Sequence, residues 1–336
     1  IHSNLNNAKI SGEHNYGVFS DQNGNLKLYS GGFSTIWKGN YQYLNNGFEL
    51  DTINGSLYRS PDDNIMIPMP GNPDIIYLFT MSDYFYHNTS QMGPDTLFYS
   101  LIDISGQGNV IVNKQPFTNH QLCNGFGITK HTNGQDYWVV TRKHNQDEYL
   151  TFRIKPAGNV DTISSVAGIQ PNMTQLKDIF ENILLSPDGR RLADSGIRDD
   201  TMQLLNFNAQ TGKVHDSDMV VLSSPFYGVY PSSMAFSADN SKLYTVGKEV
   251  WPYHYPKYYQ YDLSAGGQQA INNSRTKIFD AFNFSFGIHS GKWSDDMLLA
   301  PNHKIYSTFS PIHSNANGHY FHRIDKPNLA GNACQF

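Results

Sequence analysis

The sequence predicts an all-β protein, a single β-propeller of four-stranded blades, on three observations. An apolar strand, a tight turn and a second strand recur along the 336 residues, most plainly as Ile183-Leu184-Leu185-Ser186-Pro187-Asp188-Gly189-Arg190-Arg191-Leu192. The turns fall near residues 24, 72, 134, 189, 240 and 303. That spacing is too long for leucine-rich or ankyrin repeats and matches propeller blades of roughly 40–50 residues with insertions. Charged residues make up only 16% of the chain, against 21 tyrosines and 20 phenylalanines, a balance that favours pleated, half-buried surfaces.

Unit one reads Tyr16-Gly17-Val18-Phe19-Ser20, an Asn23-Gly24 turn, then the alternating Leu26-Lys27-Leu28-Tyr29. Unit two runs from Ile65-Met66-Ile67 through a longer, proline-rich turn into Ile75-Ile76-Tyr77-Leu78-Phe79, with Leu97-Phe98-Tyr99-Ser100-Leu101 as its outer part. Unit three joins Gly125-Phe126-Gly127-Ile128 to Tyr137-Trp138-Val139-Val140 through Asn133-Gly134. Unit four carries the Ser-Pro-Asp-Gly corner. Proline presets φ at its first position, aspartate bonds back to the backbone, and glycine accepts positive φ. Units five and six repeat the corner in weakened form, as Ser237-Ala238-Asp239-Asn240 and Ala300-Pro301-Asn302-His303. Third strands such as Met202-Gln203-Leu204-Leu205 and Tyr258-Tyr259-Gln260-Tyr261 lead to glycine turns and weaker fourth strands. Six units are counted, and a seventh blade built from the two chain ends stays open. One segment, around residues 173–183, reads as helical. No low-complexity linker interrupts the chain, so residues 1–336 read as one domain.

The net charge of −5 and the lack of a basic run argue against nucleic acid as a partner. No stretch approaches the roughly 18 apolar residues of a membrane span. The start, Ile1-His2-Ser3-Asn4, has no signal-peptide pattern, so an exported protein would be numbered here after its removal. Cys123 and Cys334 could pair in an oxidising compartment; the alternative is two buried thiols.

Several phrases in order resemble the β-propeller domains of large secreted surface proteins of gliding bacteria in the Bacteroidetes group. They are Ser20-Asp21, Asn23-Gly24-Asn25-Leu26 and Ile36-Trp37; Pro70-Gly71-Asn72-Pro73 with Ile76-Tyr77; Lys130-His131 with Asp136-Tyr137-Trp138-Val139-Val140-Thr141; Ser186-Pro187-Asp188-Gly189; Tyr259-Gln260-Tyr261-Asp262-Leu263-Ser264-Ala265-Gly266; and Pro327-Asn328 with Ala333-Cys334. The resemblance spans nearly the whole chain. It implies export, by type IX secretion, to the extracellular space or cell surface, and an adhesion, matrix or gliding-motility role without a known enzymatic activity. A C-terminal sorting domain of the kind such relatives carry is not seen, which leads to the expectation of a processed or partial chain.

The candidate binding residues lie in an aromatic insert between the second and third strands of unit five, Trp251-Pro252-Tyr253-His254-Tyr255-Pro256-Lys257-Tyr258-Tyr259. Rings with apolar faces and polar edges suit sugars or a partner chain, and the prolines lower the ordering cost of binding. The alternative is that Trp251, Tyr253, Tyr255 and Tyr258 merely cap a blade edge. Tyr84 and Tyr86 occupy the equivalent loop of unit two. Four Asp-Thr-apolar triplets, at Asp51-Thr52, Asp95-Thr96, Asp161-Thr162 and Asp200-Thr201, resemble the O-glycan acceptor pattern of exported proteins from the same bacteria. Thr52, Thr96, Thr162 and Thr201 are thus candidate glycosylation sites, or ordinary strand entrances.

Metal and catalytic signals are weak. His319 and His322 would point to opposite faces of a strand, and no Gly-X-Ser-X-Gly elbow accompanies His289-Ser290 or His313-Ser314. Asp199-Asp200 and Asp295-Asp296 could hold calcium but lack an EF-hand ligand series. No cofactor is expected beyond such a calcium ion. The leading expectation is a non-enzymatic recognition, adhesion or structural module that binds a cell-surface protein or glycan and meets secretion machinery during export. A propeller hydrolase of glycosidase or lactonase type with a channel-bound calcium, and a subunit of a self-assembling surface layer or filament, are the alternatives.

Overall fold

The structure is a computed structural model that describes residues 17–21, 23–31, 35–47, 52–53, 56–57, 64–81, 95–171, 182–198, 201–223, 231, 233–248, 256–280, 292–311 and 320–336. Its fold is the expected β-propeller, with six successive antiparallel sheets in sequence order. The first is β1 (Val18–Ser20), β2 (Leu26–Gly31) and β3 (Thr35–Lys38), followed by a small hairpin of β4 (Thr52–Ile53) and β5 (Ser56–Leu57). The second is β6 (Ile65–Met69), β7 (Asn72–Met81), β8 (Leu97–Asp103) and β9 (Asn109–Pro116). The third is β10 (Leu122–Lys130), β11 (Tyr137–Lys143), β12 (Glu148–Ile154) and β13 (Val160–Val166). The fourth is β14 (Ile183–Leu185), β15 (Arg191–Arg198), β16 (Thr201–Asn208) and β17 (Lys213–Ser223). The fifth is β18 (Ser233–Phe236), β19 (Lys242–Lys248), β20 (Pro256–Asp262) and β21 (Thr276–Asp280), with helix α1 (Gln268–Asn273) between its last two strands. The sixth is β22 (Lys292–Leu299), β23 (Ile305–Pro311) and β24 (Tyr320–Ile324). Among the described residues four sheets have four strands, the first and sixth have three, and no seventh blade forms.

The chain divides into two compact units. One holds Ile1–Asn124, Asn133–Tyr137 and Arg153–Asp161; the other holds Gly125–Thr132, Trp138–Phe152 and Thr162–Phe336. In the first unit Leu28, Ile36, Met66, Ile76, Leu78 and Ile102 form one apolar cluster from the first and second sheets. In the second unit the fourth and fifth sheets share a cluster around Met202, Leu204, Leu222, Met234 and Leu243. The fifth and sixth sheets share another around Tyr244, Val246, Tyr258, Ile305 and Cys334. Each cluster lies between consecutive sheets, because a sheet has two faces to bury and its neighbours supply both.

The corners obey one backbone rule. Each has a residue in the left-handed region: Gly24 (φ 80°), Gly71 (77°), Gly134 (72°), Gly189 (66°), Asn240 (63°) and His303 (61°). In the fourth sheet the Ser186 hydroxyl donates to Asp188 (2.7 Å) and accepts from the Arg191 N–H (2.9 Å), while the Gly189 N–H donates to the Ser186 carbonyl (2.9 Å). The fifth-sheet corner keeps this wiring, and the sixth keeps its backbone bond. Ser237 donates to Asp239 (2.7 Å), the Asn240 N–H reaches the Ser237 carbonyl (3.0 Å), and the His303 N–H reaches the Ala300 carbonyl (2.9 Å). The second sheet departs from expectation. Its turn is the two residues Pro70 and Gly71, because Met69 pairs directly with Asn72.

Two sequence expectations change in detail. Residues 172–181, most of the expected helix, lie outside the described residues, and Ile183 begins β14. The helix that does form, α1, follows the Ala265-Gly266-Gly267 turn, where a strand was expected next. Its apolar anchor Ile271 is buried in the core, which stabilises a segment too short to be helical alone.

A repeated clasp joins neighbouring sheets within each unit. An aromatic ring on a second strand lies under a turn that follows a third strand. In the first unit a methyl group on Gly158, in the turn Pro156–Gly158, would come within 3.1 Å of the Tyr77 hydroxyl. In the second unit the Trp138 indole N–H donates to the Ala209 carbonyl (2.7 Å), and a methyl on Gly212 would come within 2.7 Å of the indole ring. Likewise the Tyr244 hydroxyl donates to the Pro327 carbonyl (2.7 Å), while Gln260 bonds the Leu329 carbonyl (2.7 Å) and the Gly331 N–H (2.8 Å).

The corner rule predicts opposite signs for two substitutions. Gly189→Ala should cost about 1–2 kcal/mol, the penalty of a left-handed L-residue. His303→Gly should gain about 0.5–1 kcal/mol, since removing that penalty outweighs the added unfolded-state entropy. Chemical denaturation reads both, and a stabilised Gly189→Ala would contradict the rule.

Candidate functional site

The sixth sheet builds an open pocket of about 600 Å³ at its corner end, lined by Tyr306, Arg323, Asp325, Gln335 and Phe336. Tyr306 on β23 lies directly across from Arg323 on β24, so cross-strand pairing puts both side chains on one face. Asp325 follows β24 and binds two cations: the Arg323 guanidinium donates to one oxygen (2.9 Å) and the Lys304 ammonium to the other. These bonds, from Lys304 first and Arg323 next, hold the carboxyl below its ordinary range. Gln335 and Phe336 arrive because the chain folds back on itself. The Asp325 N–H donates to the Gln335 carbonyl (3.0 Å) and the Lys326 N–H to the Cys334 carbonyl (2.9 Å).

This geometry defines what the pocket can do. The Tyr306 hydroxyl accepts a bond from the Asn302 amide (2.9 Å), which leaves its own proton for a ligand. Arg323 is 52% exposed and keeps further N–H groups beyond those given to Asp325. Two cationic side chains, Lys304 and Arg323, stand beside the one acidic side chain, Asp325. A single carboxylate pinned by two cations is a poor proton donor, and glycoside hydrolysis needs two carboxyls in different protonation states. A ring face, a guanidinium and an exposed amide suit recognition of a polar, hydroxyl-rich or anionic ligand.

Behind the pocket lies an aromatic stack. Phe336 packs on Phe279 (4.5 Å between centroids) and Tyr258 (4.7 Å), and His322 lies 5.0 Å from Phe279 and 5.9 Å from Tyr258. Tyr258 was expected in the exposed insert, but it is 1% exposed and its hydroxyl bonds Ser307 (2.8 Å). The reason is that β20 begins at Pro256, a residue tolerated as the first of a strand, so the insert ends before Tyr258.

The remaining candidates divide cleanly. Trp251, Tyr253, Tyr255, Tyr84 and Tyr86 lie outside the described residues, as do Asp199, Asp200, His289, His313 and His319. In the chain, the segment bearing Trp251 lies between β19 and β20. Thr162 is exposed on β13, the outer strand of the third sheet, and Asp161 beside it pairs with Lys155 (2.8 Å). Thr96 and Thr201 are half-buried, and Asp95 is buried at 6% exposure; Thr52 lies in β4. Neither Cys123 nor Cys334 forms a disulfide. Cys334 is instead packed against Tyr244 and Val246, and burial pushes its thiol pKa up. Asp295 and Asp296 sit in β22 where its pairing with β23 shifts register. Among the described residues no three His, Cys, Asp or Glu side chains come together as a metal-holding group.

The most deeply buried charges, in the second unit, are structural. Arg142 donates to Asp194 (3.0 Å), Tyr149 donates to the same oxygen (2.5 Å), and Gln203 donates to Tyr149 (2.9 Å), all at 0% exposure. Every member has a partner and no solvent reaches the group. Breaking such a pair typically costs about 3–5 kcal/mol. Sequence reading missed the pocket. Alternation around Tyr306 and Arg323 was visible, but the return of Gln335 and Phe336 is a tertiary event.

Comparison with known proteins finds distant structural neighbours only. No protein-family model matches the chain, and no curated protein sequence matches it. Solved structures do. Hydrazine synthase of Kuenenia stuttgartiensis is 14% identical, with a TM-score of 0.39 over 77% of this chain and 60% of that one. A DUF4623 family protein from Bacteroides eggerthii is 14% identical, with a TM-score of 0.37 over 75% of this chain and 56% of that one. AofleA from Arthrobotrys oligospora is 10% identical, with a TM-score of 0.49 over 94% of this chain and 84% of that one. The chain thus spans less than two thirds of the length of the first two. Among the described residues no helix is long and apolar enough to cross a membrane.

The aromatic stack makes stability pH-dependent. Burial lowers the His322 pKa below its ordinary 6.5. The unfolded chain therefore takes up a proton near pH 6.5 while the native state still refuses it, so stability falls as pH drops through and below that value. His322→Phe keeps the ring packing and should flatten this fall in denaturation curves between pH 7.5 and about 5. An unchanged slope would exclude His322 as its source.

Proposed function

We propose that this propeller is a non-enzymatic recognition module of an exported, cell-surface or extracellular protein, and that it binds a glycan or a glycan-bearing surface protein. The Tyr306–Arg323 pocket carries the reading. It combines an aromatic ring, an exposed guanidinium and an exposed amide around an open volume, and its one carboxylate is already neutralised. Its surplus of cationic over acidic side chains favours acidic sugars over neutral ones. Trp251, Tyr253 and Tyr255, which lie between β19 and β20 in the chain, are a second set of candidate contacts. Export by type IX secretion and O-glycosylation follow from the resemblance to Bacteroidetes surface propellers. Thr162 is exposed whereas Thr96 and Thr201 are half-buried, so of these three Thr162 is the favoured site for sugar.

Binding to an array of acidic and neutral oligosaccharides tests the proposal. Arg323→Ala and Tyr306→Ala should each weaken retention of acidic members about tenfold or more, in line with loss of a charged hydrogen bond or an aromatic anchor worth about 1.5–3 kcal/mol, with circular dichroism unchanged. Trp251→Ala with Tyr255→Ala reads the loop separately. Full retention by all of these variants, or no retention by the parent protein, would overturn the reading.

A further inference from the structure

The outer strand of the fourth sheet, β17, is protected along its two halves in different ways. In its first half His215, Asp216 and Asp218 are exposed, Asp218 takes a positive φ of 57°, and the pairing with β16 shifts register between Leu204 and Asn206. Charges and a bulge are standard means of keeping a strand edge from pairing. The second half, Met219-Val220-Val221-Leu222-Ser223, has neither. It is uncharged, β-branched and free of proline, the composition that pairs readily with another strand.

Helix α1 occupies that half. The Val221 N–H donates to Gln268 Oε1 (3.0 Å), the Ser223 N–H donates to Asn272 Oδ1 (2.9 Å), and Asn272 Nδ2 donates to the Val221 carbonyl (2.8 Å). The match has a geometric basis. Residues four apart on a helix rise about 6 Å, close to the roughly 6.7 Å between alternate residues of a strand. Two amide side chains thereby take the place of a neighbouring backbone. The helix itself is weakly built: six residues, no side-chain cap at Gly267, and Gly266 before it at φ 113°. Ile271, 3% exposed, is its one buried anchor.

We infer that α1 is a removable cap on a strand-pairing surface, and that the occupant it excludes is the same edge of a second copy of this chain. Antiparallel pairing of residues 219–223 with themselves is self-complementary, as a two-fold dimer requires. It also sets Asp216 and Asp218 of the two copies at opposite ends of the ladder, so like charges do not meet. The intact cap keeps the protein monomeric.

Sedimentation velocity over a concentration series, with hydrogen exchange on the same samples, tests this on the full chain. Gln268→Ala with Asn272→Ala should speed exchange at the Val221 and Ser223 amides at least tenfold and convert the monomer into a concentration-dependent dimer. Adding Ser223→Pro, which removes one edge donor, should restore the monomer. If the double variant does not fold, Asn272→Ala alone reads the same question through Ser223 exchange and dimer formation. A parent protein already dimeric, a capless variant that stays monomeric, or open-ended aggregation in place of a dimer would overturn the inference.

Discussion

The fold depends on a clasp that a single sheet cannot make. A large ring on a second strand needs cover, and its polar atom, where it has one, needs a partner. A glycine-bearing turn from the following sheet supplies both. For Trp138 the carbonyl of Ala209 accepts the indole N–H, and the lack of a side chain at Gly212 lets the backbone lie against the ring. For Tyr244 the carbonyl of Pro327 accepts the hydroxyl, and Gln260 of the same sheet donates to that hydroxyl while bonding the Leu329 carbonyl and Gly331 N–H of the turn. The apolar clusters between consecutive sheets supply most of the burial, but they are not directional. The clasp directs how the second and third, third and fourth, and fifth and sixth sheets meet, and the hydrogen-bonded Arg142–Asp194 group between the third and fourth sheets adds a further directional contact.

The corners were legible in the sequence because their constraint is local. Positive φ at the fourth corner position selects glycine, and a Ser-Pro-Asp-Gly phrase announces it. Asn240 fits the same logic. His303 fits it less openly: histidine visits the left-handed region more than most residues but far less than glycine, so only register with the other units reveals the corner. The shortened Pro70–Gly71 turn was hidden for a related reason, since the three prolines Pro68, Pro70 and Pro73 suggested a loop where two residues suffice. Helix α1 was hidden because nothing local makes it helical; Ile271 and the bonds to β17 do.

The site follows the same division. Aromatic residues in an insert are easy to see, yet Tyr258, expected among them, is a core residue, because strand β20 begins two positions earlier. The Tyr306 pocket was invisible because its parts lie at the start of β23, the end of β24 and the chain's final turn, joined by backbone bonds between Asp325 and Gln335. Tyr306 is also informative by contrast. Tyr77, Trp138 and Tyr244 each lie under a turn, whereas Tyr306 faces an open volume. Function is best sought where the repeat departs from itself.

The clasp can be tested at its tightest point by a double-mutant cycle between Gly212→Ala and Trp138→Phe. Phenylalanine lacks the outer ring carbons that a methyl at position 212 would strike at 2.7 Å. Gly212→Ala should therefore destabilise the parent by about 2–4 kcal/mol, overpacking added to backbone strain, and cost at least 1 kcal/mol less in the Trp138→Phe background, a coupling expected only of residues in contact. Equal costs in both backgrounds would show that the turn does not bear on the ring, and would contradict the clasp.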